Sequence, residues 1–149
     1  MLESLLSYYT LNAIETLKLS VEIIRHLPPD QPCQARIELK FTPQVPNGPA
    51  KNQGQLLQVR LSVLGLPQSG REEERFFTLE ILINAHYRPQ GTDPGFDIFN
   101  RAHTSLTRQL LPLLQRRAVA LLTEVGLHQI HLPIDLVHAE MDAKPSAYH

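Results

Sequence analysis

The sequence predicts an α+β fold, in which a four-stranded antiparallel meander is followed by a long, kinked C-terminal helix and an extended tail. Two observations carry this prediction. Four segments in the first part of the chain alternate apolar and polar residues with a period of two, which is typical of half-buried strands. The segment 96–125 then repeats its apolar residues every three or four positions, which is typical of a helix.

Each predicted strand places one apolar row on an inner face. The rows are Leu17, Leu19, Val21 and Ile23; Ala35, Ile37, Leu39 and Phe41; Leu57, Val59, Leu61 and Val63; and Phe77, Leu79, Ile81, Ile83 and Ala85. Loops and turns separate the strands, so consecutive strands are expected to pair as neighbours. The outer face carries positive and negative side chains in similar number, which predicts a solvated face of mixed charge; they are Lys18, Arg36, Lys40, Arg60, Glu22, Glu38 and Glu80.

The helix is expected to begin behind Pro94 and to end at Gly126, a natural left-handed cap. Pro112 lacks a backbone donor, which predicts a kink or break near Thr107–Arg108. The apolar face is wider than one sheet can cover, so part of it is expected to form a subunit interface, with Leu111, Leu114, Leu122 and Val125 as candidates. The residues after Gly126, LHQIHLPIDL, predict an extended tail that lies back over the fold.

Length and composition limit the classes of protein. With 149 residues and 42% hydrophobic content, residues 1–149 are expected to form a single domain with its own core. Lys and Arg are scattered and the net charge is −1, which argues against a nucleic-acid partner. No apolar run is long enough to span a bilayer, and no basic start marks a signal peptide. The single Cys33 cannot form an intrachain disulfide, which suits a cytoplasmic protein.

The residue types that could carry catalysis are weakly organised. His128, His131, Asp135 and His138 are zinc-ligand types, but residues three apart on an extended segment point to opposite faces. Nucleotide-binding and nucleophile motifs are absent from the sequence. We therefore expect no metal site, no cofactor and no catalytic residue. An enzyme with a metal bound by the histidine segment is the less favoured alternative.

The aromatic residues suggest a binding surface. Most of them fall at the ends of predicted elements or off the inner alternation; they are Tyr8, Tyr9, Phe76, Tyr87, Phe96 and Phe99. One interpretation is that they cap the core or fill a subunit interface. The other is that they line a groove for extended, unfolded polypeptide, since aromatic walls offer burial without demanding a sequence.

The order of four strands and a long helix, with its closing motifs, resembles the protein-export chaperone SecB family over roughly residues 7–137. Leu111-Pro112-Leu113 corresponds to the family's Phe-Pro-Tyr-type element near the helix start, and Gly126 to the glycine that ends the helix. The segment 132–135, Leu-Pro-Ile-Asp, corresponds to its closing Pro-Ile-Asn-Phe segment. The first strand region, SYYTLNAIETLKLSVEI, is also similar.

The resemblance implies an ATP-independent chaperone that binds unfolded polypeptide and assembles as a homotetramer, a dimer of dimers with helices between the sheets. Its partners would be unfolded clients together with the protein-translocation motor or a toxin–antitoxin pair. Exporters of the family tend to be acidic on the sheet face and in the tail, whereas this tail, HAEMDAKPSAYH, is nearly balanced in charge. Docking to the motor is therefore less well supported than chaperone activity. The alternative is a structural or assembly subunit that uses the same fold.

Overall fold

The structure is a computed structural model that describes residues 8–28, 30–45, 54–127, 130, 132, 134 and 139–141. The strands are β1 (Tyr9–Ile23), β2 (Gln34–Gln44), β3 (Gln55–Leu66), β4 (Phe77–Pro89) and β5 (Ala139–Met141). A short 3₁₀ helix (Glu72–Glu74) precedes β4, and two helices follow it, α1 (Phe96–Ala102) and α2 (Thr104–Glu124). Four long strands followed by C-terminal helices confirm the predicted α+β class.

The connectivity of the sheet differs from the predicted meander. The strand order is β1-β4-β3-β2-β5, so that β1 pairs with β4 and not with β2. The first four strands are antiparallel, whereas β5 runs parallel to β2 and was not predicted. Three hairpin-connected strands with a fourth beside the last of them form a Greek-key arrangement. Alternation of side chains fixes the face that a strand buries, but it contains no information on which strand lies beside it.

The core lies between the sheet and α2. Apart from the half-buried Ala35, the predicted inner rows of β2, β3 and β4 are buried, and Phe41, Val59 and Ile81 are 0% exposed. The helix α2 buries one apolar residue per turn against them, and Thr107 beside the first; the apolar residues are Leu106, Leu110, Leu114, Ala118 and Leu122. From the tail, Leu127 and Leu132 are buried and Ile130 and Ile134 pack against the same core. The described part of the tail therefore lies over the fold, as predicted.

The helical segment breaks at His103 and not at Thr107–Arg108. His103 ends α1, and the backbone N–H of Leu106 donates to its carbonyl (2.8 Å) where α2 begins. Pro112 lies inside α2 without ending it. Both Pro112 and Arg108, whose carbonyl loses its helical donor, are on the exposed side of the helix, where water can bond that carbonyl.

The end of α2 is a complete Schellman motif, which confirms the predicted glycine cap. Gly126 has φ +84°, in the left-handed region. The N–H of Leu127 donates to the carbonyl of Leu122 (2.8 Å), and the N–H of Gly126 to that of Thr123 (3.1 Å). The side chain of Leu127 thereby enters the core, and the chain turns from α2 onto the sheet.

The outer face of the sheet is a mixed-charge surface, as predicted. Glu80 on β4 accepts contacts from Lys18 Nζ on β1 (2.6 Å) and from Arg60 Nη2 on β3 (2.5 Å). These cations lower the pKa of the Glu80 carboxyl, the hydrogen bond from Lys18 contributing most. Arg36 pairs with Glu72 beside the 3₁₀ helix. Charges of both signs thus neutralise one another locally across this face.

Candidate functional site

A cleft of about 290 Å³ opens at one end of the sheet, where three parts of the chain meet. The end of β1 and the residues after it form one wall; they are Ile23, Arg25, His26 and Leu27. Phe76 and Phe77 form the second wall at the start of β4, and Val125, Gly126 and Leu127 form the third at the end of α2. Most of the lining is therefore apolar, and Arg25 and His26 are its polar side chains.

The backbone around Phe76 explains how these parts are held together. The N–H groups of Ile24 and Arg25 both donate to the carbonyl of Phe76 (2.7 and 3.1 Å), and the N–H of Phe76 donates to the carbonyl of Gly65 (2.7 Å). Phe76 thus joins the end of β1 to β3. The ring of Phe77 fills the space beside Gly65. A Cβ at this position would lie 2.1 Å from the ring, so there is no room for a side chain.

Beyond the cleft, β1 and the residue that follows it carry an exposed apolar strip. Four large side chains form this β1 strip, with exposed fractions of 40–49%: Leu17, Leu19, Ile23 and Ile24. Leu19 and Ile23 lie opposite Ile81 and Phe77 on the core face, as predicted. The prediction that this row is covered is nevertheless wrong, because the helix layer leaves the row half exposed.

Irregularities in β1 account for part of this exposure. The pairing with β4 shifts register between Leu11 and Ala13 and again between Thr16 and Lys18. Leu17 is the extra residue of the second bulge, so it has no partner on β4 and departs from the predicted alternation. Within the described residues, β1 pairs with β4 alone, so one edge of this 15-residue strand remains open.

Three of the predicted groove aromatics lie in the core of the subunit. Tyr9, Tyr87 and Phe99 are each at most 1% exposed and pack together, with ring centroids 5.4 Å apart for Tyr9 and Phe99 and 6.0 Å for Tyr87 and Phe99. The Tyr9 hydroxyl donates to Asp93, and the Tyr87 hydroxyl donates to Gln109 Oε1 (3.3 Å). Burial raises the pKa of both phenols. These residues anchor the helices to the sheet and present no surface to a client.

The remaining aromatic candidates lie in different places. Phe76 was expected to point away from the core, yet it is 3% exposed, because it precedes β4 and does not follow the strand's alternation. It nevertheless contributes to a wall of the cleft. Tyr8 and Phe96 are half-buried, and Tyr8 packs against the core. Their role in binding a client stays a prediction.

The predicted interface residues are also divided. Leu114 and Leu122 are buried in the core of this chain, at 0% and 2% exposure, so they present almost no surface to another molecule. Leu111 is half-buried against the same core. Val125 is 37% exposed and lines the cleft. The prediction placed Leu114 and Leu122 on the wrong side of α2 because the apolar stripe is broad and its centre is not fixed by spacing alone.

The sequence did not indicate Arg25, His26 or Leu27 as site residues. They follow a strand in a proline-containing turn, and nothing in their spacing indicates that they meet the start of β4 and the end of α2. The glycine cap at Gly126 was the usable signal, since it places the end of α2 at this position. The wall that contains Arg25, His26 and Leu27 is positioned by the pairing of β1 with β4. The alternation of apolar and polar residues does not reveal this pairing.

Metal and membrane interpretations gain no support from the described residues. They contain no group of three His, Cys, Asp or Glu side chains placed to hold a metal ion. His128, His131, Asp135 and His138 lie outside the described residues. Cys33 is half-buried, and burial raises the pKa of its thiol. No described helix is both long and apolar enough to cross a membrane.

Comparison with solved structures shows that the chain has a SecB-like fold. It matches the SecB-like chaperone of Mycobacterium tuberculosis, solved in complex with a ChAD peptide from the HigA1 antitoxin, with a TM-score of 0.66 and 19% sequence identity. The match covers 89% of this chain and 94% of that one. Neither a protein-family model nor a curated protein matches the sequence.

Proposed function

We propose that this protein is an ATP-independent chaperone that holds non-native polypeptide, and that the cleft receives extended, apolar segments of the client. The observation that carries the proposal is a largely apolar cleft with the exposed side chains of Ile23 and Val125 at its mouth, on a SecB-like fold. Monomeric soluble proteins seldom leave such a surface exposed without a partner.

The structural neighbour supports a toxin–antitoxin association more than general export. That protein binds a peptide from an antitoxin, and its fold covers most of this chain. The outer face of this sheet, moreover, balances Glu80 with Lys18 and Arg60, so it does not offer the acidic field expected of a docking face for the translocation motor. We propose a cytoplasmic chaperone whose client is a disordered segment of an antitoxin-like protein.

The open edge of β1 suggests that the functional unit is a homo-oligomer. A long, apolar edge strand is a template for pairing with another strand. Every copy of the protein carries the same β1 edge, so a second copy can supply the partner strand. Pairing of two β1 edges would extend the sheet across a two-fold axis, in keeping with the tetramer expected of this fold. A purely structural assembly subunit would use the same edge, so client binding has to be tested separately.

The test of the proposed function compares two exposed valines, one within α2 and one directly after its last residue. Val125 lines the cleft and is 37% exposed, whereas Val119 is 43% exposed and does not contribute to the cleft. Without ATP, the wild-type protein should suppress aggregation of a chemically unfolded model protein at stoichiometric ratio. Val125→Gln should weaken binding of a permanently unfolded, labelled client about fivefold or more, and Val119→Gln should leave it within about twofold. Failure of the wild type to suppress aggregation would favour the assembly subunit.

A further inference from the structure

We infer that the cleft selects segments in which an apolar side chain lies next to a carboxylate, and that Arg25 binds this carboxylate. The inference rests on the proposed function, because it assumes that the cleft receives polypeptide. The inference goes beyond the proposed function because it assigns the cleft a preference for the charge of its client and names the residue that determines this preference.

The Arg25 side chain is held at the cleft. Its guanidinium lies over the ring of Phe76, with the Cζ atom 5.1 Å from the ring centroid, and Nη2 donates to the backbone carbonyl of Glu74. The backbone N–H of Arg25 is bonded to the carbonyl of Phe76 (3.1 Å). Stacking on an aromatic ring together with a hydrogen bond restrains a side chain that would otherwise lose considerable entropy on binding a ligand.

The positive charge of Arg25 is not neutralised by the described part of the chain. The acceptor at Glu74 is a neutral carbonyl, and Arg25 forms no salt bridge with any described residue. Arg36 and Arg60, by comparison, are paired with Glu72 and Glu80. A guanidinium presents several N–H donors in a planar fork, so donors remain that match a carboxylate in geometry and charge.

The rest of the lining does not oppose an anion. Among the described residues that line the cleft there is no Asp or Glu, and the other polar side chain is that of His26. The carboxylate of Glu74 accepts a hydrogen bond from Ser69 Oγ (2.9 Å). The end of α2 carries partial negative charge, but the carbonyls of Leu122 and Thr123 are occupied by the Schellman hydrogen bonds. Among the described lining residues, the permanent charge is therefore that of Arg25.

The apolar part of the cleft suits a side chain beside the carboxylate. Phe76, Phe77 and Leu127 form buried walls, and Ile23 and Val125 remain exposed at the mouth. A volume of about 290 Å³ accepts a large aliphatic or aromatic side chain with its neighbour, but no folded element. An extended segment would thus place its apolar side chain against Ile23 and Val125 at the mouth and the adjacent residue at the rim, near Arg25.

Three unstructured peptides test the inference by fluorescence anisotropy. They share one apolar anchor and differ at the neighbouring position, which is Glu, Gln or Lys. The wild type should bind the Glu peptide about fivefold more tightly than the Gln peptide, and added salt should reduce this ratio. Arg25→Gln should remove the preference while retaining the affinity for the Gln peptide. Arg25→Glu should bind the Lys peptide best, and Arg25→Lys should keep a weaker preference for Glu.

The matched control is Arg75→Gln. Arg75 lies in the same region, but its side chain bonds to Thr78 Oγ1 (2.9 Å) and the carbonyl of Glu72 (3.0 Å) and does not line the cleft. This variant should retain the wild-type ratio. Equal binding of all three peptides, or an unchanged ratio in Arg25→Gln, would overturn the charge preference and leave the proposed function standing. If none of the three peptides binds, the proposed function is overturned, and the inference with it.

Discussion

Leu19 on β1 and Ile81 on β4 are partners in the same pair of strands and face the same side of the sheet, yet Leu19 is 49% exposed and Ile81 is 0% exposed. The helix layer therefore covers β4 more completely than β1, although it reaches β1, where Arg117 Nη1 of α2 donates to Thr16 Oγ1 (2.7 Å). Among the described residues, β1 also has an open backbone edge. This strand therefore presents both unpaired backbone groups and exposed apolar side chains, and a second strand could cover both.

Charge placed on the β1 strip should prevent assembly. We expect Leu19→Asp to shift the protein from oligomer to a smaller species in sedimentation velocity at micromolar concentration, because a carboxylate would be buried in a β1–β1 contact. Val45→Asp is the control, since Val45 is 62% exposed and follows β2 at the other side of the sheet. A wild-type protein that sediments as a monomer, or equal effects of the two variants, would contradict an interface at β1.

The phase of α2 is tested by neighbouring leucines. Leu122 is 2% exposed and Leu121 is half-buried. Leu122→Ala should lower the free energy of unfolding by about 2–5 kcal/mol, because it leaves a cavity in the core. Leu121→Ala should cost clearly less, and Arg116→Ala, on the exposed side, within about 0.5 kcal/mol. Urea denaturation measures the free energy of unfolding of all three variants. A larger loss of stability for Leu121→Ala than for Leu122→Ala would show that the face of α2 carrying Leu122 is not the one packed against the sheet.

The predictable part of this fold is the part fixed by local pattern. Period-two alternation identified the buried rows of β2, β3 and β4, and Gly126 identified the end of α2. The position of β1 was not predictable in this way, because pairing with β4 is a contact between residues far apart in the chain. The bulge at Leu17 interrupts alternation without any glycine or proline to mark it.

The site was less predictable than the fold for a related reason. The aromatics Tyr9, Tyr87 and Phe99 looked like a groove because each lies at the end of an element, but the ends of three elements converge in one place and bury them. The cleft is formed by residues from three distant segments, and Arg25 acquires its position from Phe76 and Glu74. No local signal in the sequence specifies such a meeting.

We expect that Phe77, in the wall of the cleft, can pack as it does only with a glycine at position 65. A methyl group at this position would lie 2.1 Å from the ring of Phe77, which is itself buried and has little room to move. Gly65→Ala should therefore destabilise the fold by about 1–3 kcal/mol through overpacking. Ser62→Ala, on the outer face of the same strand, should change stability by less than about 0.5 kcal/mol. Thermal melts compare the two, and equal stabilities would mean that Phe77 can vacate this space.

The Glu80 cluster should make stability depend on pH in a defined direction. Lys18 and Arg60 lower the pKa of the Glu80 carboxyl below its ordinary value of 4.5. The unfolded chain therefore binds the proton more readily than the folded protein, so stability rises with pH through this window. The contribution is fully present above the ordinary value and is lost as the pH falls through the lowered pKa of the folded state.

Replacement of Glu80 by Gln isolates this contribution. At pH 7, Glu80→Gln should be less stable than the wild type by about 0.5–1 kcal/mol, because Lys18 and Arg60 lose their shared carboxylate and face each other. The difference should shrink below about pH 4.5, where the Glu80 carboxyl of the unfolded wild-type chain begins to take up its proton. The control is Glu38→Gln, since Glu38 is exposed on the same face and forms no ion pair with any described residue. Urea denaturation at matched protein concentration at pH 7, 5 and about 3.5 measures both variants. A stability difference for Glu80→Gln that stays constant over this range would show that packing, and not the ion pairs, determines the role of Glu80.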